Sequence, residues 1–226
     1  MRYILLTLIL VSAGAMGKPL DDEHEKVVLG LDTASFSADY YFEKTGKPQG
    51  GLILSHNGNN LVMVSNIGHI LSQHGWSVLL YQQLEQDQDT QSQLETAINY
   101  METKRGIFNL CLLASGPSWG KASQYLATEG SNIESIKALI LLNTDKEMEI
   151  KELTPELLIL DIVTENLPSL AYQSRKLQAQ RYKLDIYQQM ILHLPIMPNT
   201  YGENKLTKRI RGWLLNNVKG MEIGKS

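Results

Sequence analysis

The chain has 226 residues, of which 43% are hydrophobic and 20% charged, and its formal net charge is −3. That is the size and composition of one globular domain able to bury its own core. It excludes a nucleic-acid binder built on a basic surface, because the one basic cluster, "KRIRGW", falls in a helical pattern and reads as a solvated helix face.

The chain opens "MRYILLTLILVSAGAMG", with a basic start at Arg2, an apolar stretch from Tyr3 to Val11 and the small-x-small triplet Ala13-Gly14-Ala15. The apolar stretch is shorter than the about 20 residues that a spanning helix needs. It reads as a signal peptide over residues 1–15, so the mature protein is expected in the periplasm or outside the cell, without a transmembrane span. Residues 16–38 read as a polar lead, 39–218 as one domain and 219–226 as a tail. Cys111 is the single cysteine and cannot form an internal disulfide; its apolar neighbours predict a buried structural thiol.

"ADYYFEKTGKPQ" alternates and is read as an edge strand. Four short runs follow that are apolar throughout: "GLILSH" (51–56), "WSVLLYQ" (76–82), "FNLCLLAS" (108–115) and "IKALILLN" (136–143). "ELLILDIV" (156–163) is a fifth, and the more polar "KLDIYQQMIL" (183–192) a sixth. Unbroken apolar runs are what strands covered on both faces look like. Helical patterns separate them: "LVMVSNIGHILSQHG" ending at Gly75, "TQSQLETAINYMETKRG" ending at Gly106, "SWGKASQYLATEG", "PSLAYQSRKLQAQ" and "NKLTKRIRGWLLNN". The Gln-rich "QQLEQDQDTQSQ" is read as the loop into the second helix. Strand and helix alternate along the chain, which predicts an α/β fold: a doubly wound, mainly parallel sheet with helices on both faces.

In such sheets ligands bind at the carboxyl ends of the strands. The third apolar run ends in Gly116-Pro117-Ser118-Trp119-Gly120, the G-x-S-x-G pattern with a strand before it and a helix after it. A sharp strand-to-helix turn of this kind projects its middle side chain into solvent, and the amide after it, from Trp119, can donate to an oxyanion. The competing reading is a tight turn that needs two glycines and a capping serine. The first run ends in "SHNGNN", where the amides around Asn57 and Gly58 could also cradle an anion, or where His56 is simply hydrogen-bonded locally.

A nucleophilic serine needs a base. Of His24, His56, His69, His74 and His193, only His193 directly follows the last strand run, and it is the candidate base. The orienting acid is expected between Ser118 and His193. Glu165, just past a strand end, suits the role; Asp145 and Asp161 are the alternatives, and Asp161 within its strand is suited to structural pairing. There is no C-x-x-C, H-E-x-x-H, Walker A or G-x-G-x-x-G pattern, so neither a metal nor a cofactor is expected.

With these residues placed, the chain resembles the α/β-hydrolase superfamily, and within it an uncharacterised family of exported Gram-negative proteins. The resemblance is carried by "GGLILSHNGNN", "ILSQHGWSVLLYQQL", "LLASGPSWGKASQYLA", "KALILLNT", "LLILDIV" and "HLPIMPNTYGENKLTKRIRGWL". It implies a serine nucleophile, an acid after a late strand and a histidine near the C-terminus, which fall on Ser118, Glu165 and His193, and an oxyanion loop on His56 to Asn59. The chain departs from the superfamily pattern at Pro117, at Lys121 and in having Glu165-Asn166 where an aspartate is usual. The resemblance implies an exported serine hydrolase with little or no lid, acting on a small-molecule ester or similar acyl substrate. The alternative is a non-catalytic binding protein of the same fold in the cell envelope.

Overall fold

Apolar strands without alternation need cover on both faces, and the computed structural model supplies it. It describes residues 24–30, 35–58, 60–83, 87–116, 125–126, 134–144, 157–164, 170–193 and 202–219. Among them eight strands form one sheet: β1 (His24–Leu29), β2 (Phe36–Tyr41), β3 (Gly50–His56), β4 (Trp76–Gln82), β5 (Leu110–Ser115), β6 (Ile136–Leu142), β7 (Leu158–Val163) and β8 (Tyr187–Ile191). Their order is β1-β2-β4-β3-β5-β6-β7-β8. From β4 to β8 all neighbours run parallel, while β2 is antiparallel to both β1 and β4.

The described helices are α1 (Leu61–Ser72), α2 (Asp87–Asn99), a π-helical turn (Tyr100–Lys104), α3 (Leu170–Tyr182) and α4 (Lys205–Asn217). The pleat sends alternate side chains to opposite faces. Ile53, Leu79, Leu112 and Leu139 pack with Leu94, Ala97, Ile98 and Met101 on the α2 side. Leu54, Val78, Leu113, Ile140 and Ile162 pack with Val64, Ile67 and Leu71 of α1 and Leu206, Ile210 and Trp213 of α4 on the other. Cys111 is buried at the centre, and burial pushes its thiol well above the ordinary range. No described helix is long and apolar enough to cross a membrane.

The structure corrects the sequence reading in three places. The polar lead contributes β1, so β2 is not the sheet edge. The strand "HEKVVL" buries only Val27 and Leu29, while Val28 is 72% exposed, so little apolar signal marks it. Its docking is helped by Arg105, which follows the π-helical turn, lies 4.0 Å over the Tyr40 ring and bonds the Glu25 carboxylate. Third, the Gln-rich segment is helical from Asp87 onward; Gln and Glu are good helix formers, so polarity alone does not make a loop. The basic run in α4 lies beside Glu203, which pairs with Arg211 at 2.9 Å and Lys208 at 3.7 Å.

The turn from α1 into β4 depends on Gly75, whose φ of +93° is left-handed. A Cβ there would meet Gln49 Cγ at 2.9 Å and the Lys47 carbonyl at 3.0 Å. Gly75→Ala is expected to lower stability by about 1–2 kcal/mol, read as a lower urea midpoint at unchanged slope.

Candidate functional site

The carboxyl ends of β3, β5, β6, β7 and β8 lie along one rim of the sheet. Ladder hydrogen bonds end there, so the turns that follow must satisfy their own backbone groups. Among the expected site residues, Ser118, Trp119, Asn59, Asp145 and Glu165 lie outside the described residues; His56, Asn57, Gly58, Asp161 and His193 lie within them.

The turn after β3 is closed by short-range bonds. Gly58, at φ +89°, donates its N–H to His56 Nδ1 at 3.1 Å. Asn57 donates its N–H to Asn60 Oδ1 at 3.3 Å, and Asn60 Nδ2 donates to Ser115 Oγ at the end of β5. Both amides expected to receive an oxyanion are therefore engaged within their own turn. His56 is locally hydrogen-bonded, as one of its two readings anticipated. Accepting at Nδ1 leaves the neutral ring its proton on Nε2. Burial lowers the His56 pKa below the ordinary imidazole value, with Asp39 opposing. Two residues before the expected nucleophile, Gly116 has a φ of +58°.

One strand pair further along, Asn143 directly follows β6 with a φ of 52°, a conformation asparagine tolerates better than most residues. Its Oδ1 accepts from Thr164 N–H at 2.8 Å and its Nδ2 donates to Thr164 Oγ1 at 2.7 Å. This ties the end of β6 to the residue that immediately precedes Glu165.

Asp161 is committed elsewhere. Its carboxylate is wholly buried between β7 and α3, bonded to Arg175 Nε at 2.7 Å and Nη2 at 3.1 Å. Tyr187 donates its hydroxyl to the same carboxylate, and Gln189 Nε2 donates to the Tyr187 oxygen at 2.6 Å. Arg175 Nη2 also donates to the Thr144 carbonyl at 3.1 Å. Burial, with the Asp161 charge beside it, raises the Tyr187 pKa and pushes Tyr172 up to about 12, so both hydroxyls keep their protons. The mid-strand position suited structural pairing, and a carboxylate held this way inside the sheet–helix interface is not an orienting acid at the rim.

His193 follows β8 by two residues and is exposed. Leu192 extends the ladder by one bond, its N–H to the Val163 carbonyl at 2.8 Å. Downstream, Asn66 of α1 grips Gly202, with Gly202 N–H to Oδ1 at 2.8 Å and Nδ2 to the Gly202 carbonyl at 3.0 Å. Asn204 and Thr207 then start α4 with a reciprocal capping box. Chain that leaves the sheet edge at His193 is thus returned to α1, beside β3. The remaining histidines are away from the rim: His24 pairs with Asp39 at 3.3 Å, His69 bonds Gln73, and His74 bonds Arg211. The described residues hold no group of three or more metal-ligating side chains.

A family model described as "Protein of unknown function (DUF3530)" matches residues 72–216. No curated protein matches the chain. Among solved structures, the esterase domain of a Rhodothermus marinus protein is 11% identical over 86% of this chain and 99% of that one, with a TM-score of 0.61. A protein from Xanthomonas campestris, described as an α/β serine hydrolase without a lid, is 12% identical over 87% of this chain and 94% of that one, at 0.60. Dienelactone hydrolase from Anabaena variabilis is 12% identical over 87% of this chain and all of that one (100%), at 0.58. At such identities the likeness is one of fold, and the fold is that of the α/β-hydrolases.

Two outcomes follow from the buried groups. Asp161→Asn or Arg175→Met leaves one half of a buried pair uncompensated, which costs about 3–5 kcal/mol in urea unfolding, whereas an apolar replacement of both costs less. His56, His69 and His74 all have lowered pKa values, chiefly from burial. A lowered histidine pKa means the unfolded chain binds more protons, so the stability contribution is complete above the unfolded value of 6.5 and is lost as pH falls from there through the folded value. The urea midpoint should therefore drop between pH 7 and about 5, and His56→Gln should flatten part of that drop.

Proposed function

The chain belongs to the DUF3530 family, and we propose that it is a serine hydrolase of the cell envelope acting on a small-molecule ester or similar acyl substrate. The observation that carries this reading is the sequence Gly116-Pro117-Ser118-Trp119-Gly120, which follows β5, a buried central strand that ends on the rim where ligands of such sheets bind. The esterase and serine hydrolase descriptions of the structural relatives agree with it.

In this reading the Ser118 hydroxyl adds to the acyl carbon as its proton passes to His193, and Glu165 orients the imidazolium. The oxyanion is received by the amide of Trp119 and by that of Asn57 or Gly58, which exchange their bonds to Asn60 or His56 for it. The carbon–oxygen bond to the leaving group breaks, His193 returns the proton to that oxygen, and water repeats the sequence on the acyl-serine to release the acid. Export rests on the signal-like segment at 1–15, with a periplasmic or released mature protein.

A binding protein that makes no covalent bond is the second reading. The closed β3 turn favours it, because both of its amides are already satisfied. Reaction of purified mature protein with a fluorophosphonate probe separates the two. The expected outcome is one adduct at Ser118, absent in Ser118→Ala and formed about 10³-fold or more slowly in His193→Ala. A folded wild type that forms no adduct favours the binding protein.

A further inference from the structure

Asn60 stands where β3's turn becomes α1, a position from which an asparagine side chain ordinarily caps the first helical amides. Here it makes no capping bond, although its backbone carbonyl still receives Val64 N–H at 3.0 Å. Its side chain is used across the rim instead. Oδ1 holds the Asn57 amide and Nδ2 holds Ser115 Oγ. Ser115 is 1% exposed, closes β5 and stands three residues before Ser118.

The cross-link lies where the sheet stops providing one. The β3–β5 register ends at Leu54 and Leu113, one residue short of Ser55 and Ala114. Beyond that point the turn after β3 is joined to the last residue of β5 through Asn60 and Ser115.

We propose that Asn60 is a positioning residue, whose side-chain amide sets the spacing between the Ser118 turn and the turn that receives the oxyanion. This rests on the serine hydrolase reading above. An adduct oxygen needs donors from both turns at 2.7–3.1 Å, and a misplacement of about 1 Å costs roughly 10²-fold in rate. The two turns are supplied by strands separated by a helix, a further strand and another helix in the chain, so local sequence does not fix their spacing.

The test is the second-order rate of fluorophosphonate labelling, with the labelled fraction at completion, for wild type, Asn60→Ala, Ser115→Ala, the double variant and Asn60→Asp. Asn60→Ala and Ser115→Ala are expected to label about 10–100-fold more slowly, at full stoichiometry and with the wild-type pH midpoint of the rate. The double variant should be no slower than Asn60→Ala, since both changes break one link. Asn60→Asp, which accepts from the Asn57 amide and from the Ser115 hydroxyl, should label within a few-fold of wild type. A reduced labelled fraction at unchanged rate, additive effects in the double variant, or variants as fast as wild type overturn the positioning role and leave the hydrolase reading standing. A folded wild type that does not label overturns both.

Discussion

Two-sided burial of the central strands is the constraint on which the rest of this molecule depends. β3, β4, β5 and β6 have almost no exposed residue, so their interior positions are mostly apolar side chains and their backbone groups go to the ladder. Polar chemistry is thereby driven to the ends of the strands. At the carboxyl ends, parallel neighbours deliver several strand ends to one rim, among them the turn after β3 and the ends of β5 and β8. Among the described residues, Asp161 is a carboxylate wholly buried inside the sheet. Its desolvation is offset by a two-pronged bond to Arg175 and by the Tyr187 hydroxyl, so the pair ties α3 to β7.

Asparagine is the recurring fastener at the rim. Asn60 joins the β3 turn to β5, Asn143 joins β6 to β7, and Asn66 joins α1 to the chain beyond β8. Each presents a donor and an acceptor on one planar group. At Thr164 and Gly202 the amide meets a backbone group much as a further rung of sheet would. The sheet is extended by side chains after its backbone ladders have ended.

The strand cores were legible in the sequence because unbroken apolar runs such as "WSVLLYQ" have few alternatives to a covered strand. The span read for β4 matches its structural bounds, and those for β3 and β6 fall within a residue. β1 was not legible, because an edge strand needs only one apolar face and "HEKVVL" buries two hydrophobic residues. At the site, the turn residues His56, Asn57 and Gly58 were visible through glycine chemistry. Asn60, Asn66 and Asn143 were not. Their meaning comes from partners 55, 136 and 21 residues away, and an asparagine beside a turn carries no mark of such a partner.

Cys111, near the start of β5 and without exposed surface, gives the molecule a built-in seal. A thiol that deep, kept protonated by its surroundings, meets no oxidant or alkylating reagent while the sheet is closed. In an oxidising compartment the native chain can neither cross-link to a second copy nor pair with a stray thiol. A disulfide-linked dimer would therefore be the chemical signature of chains that opened, and alkylation of Cys111 would clock the opening of the whole sheet, independent of any assay of the rim.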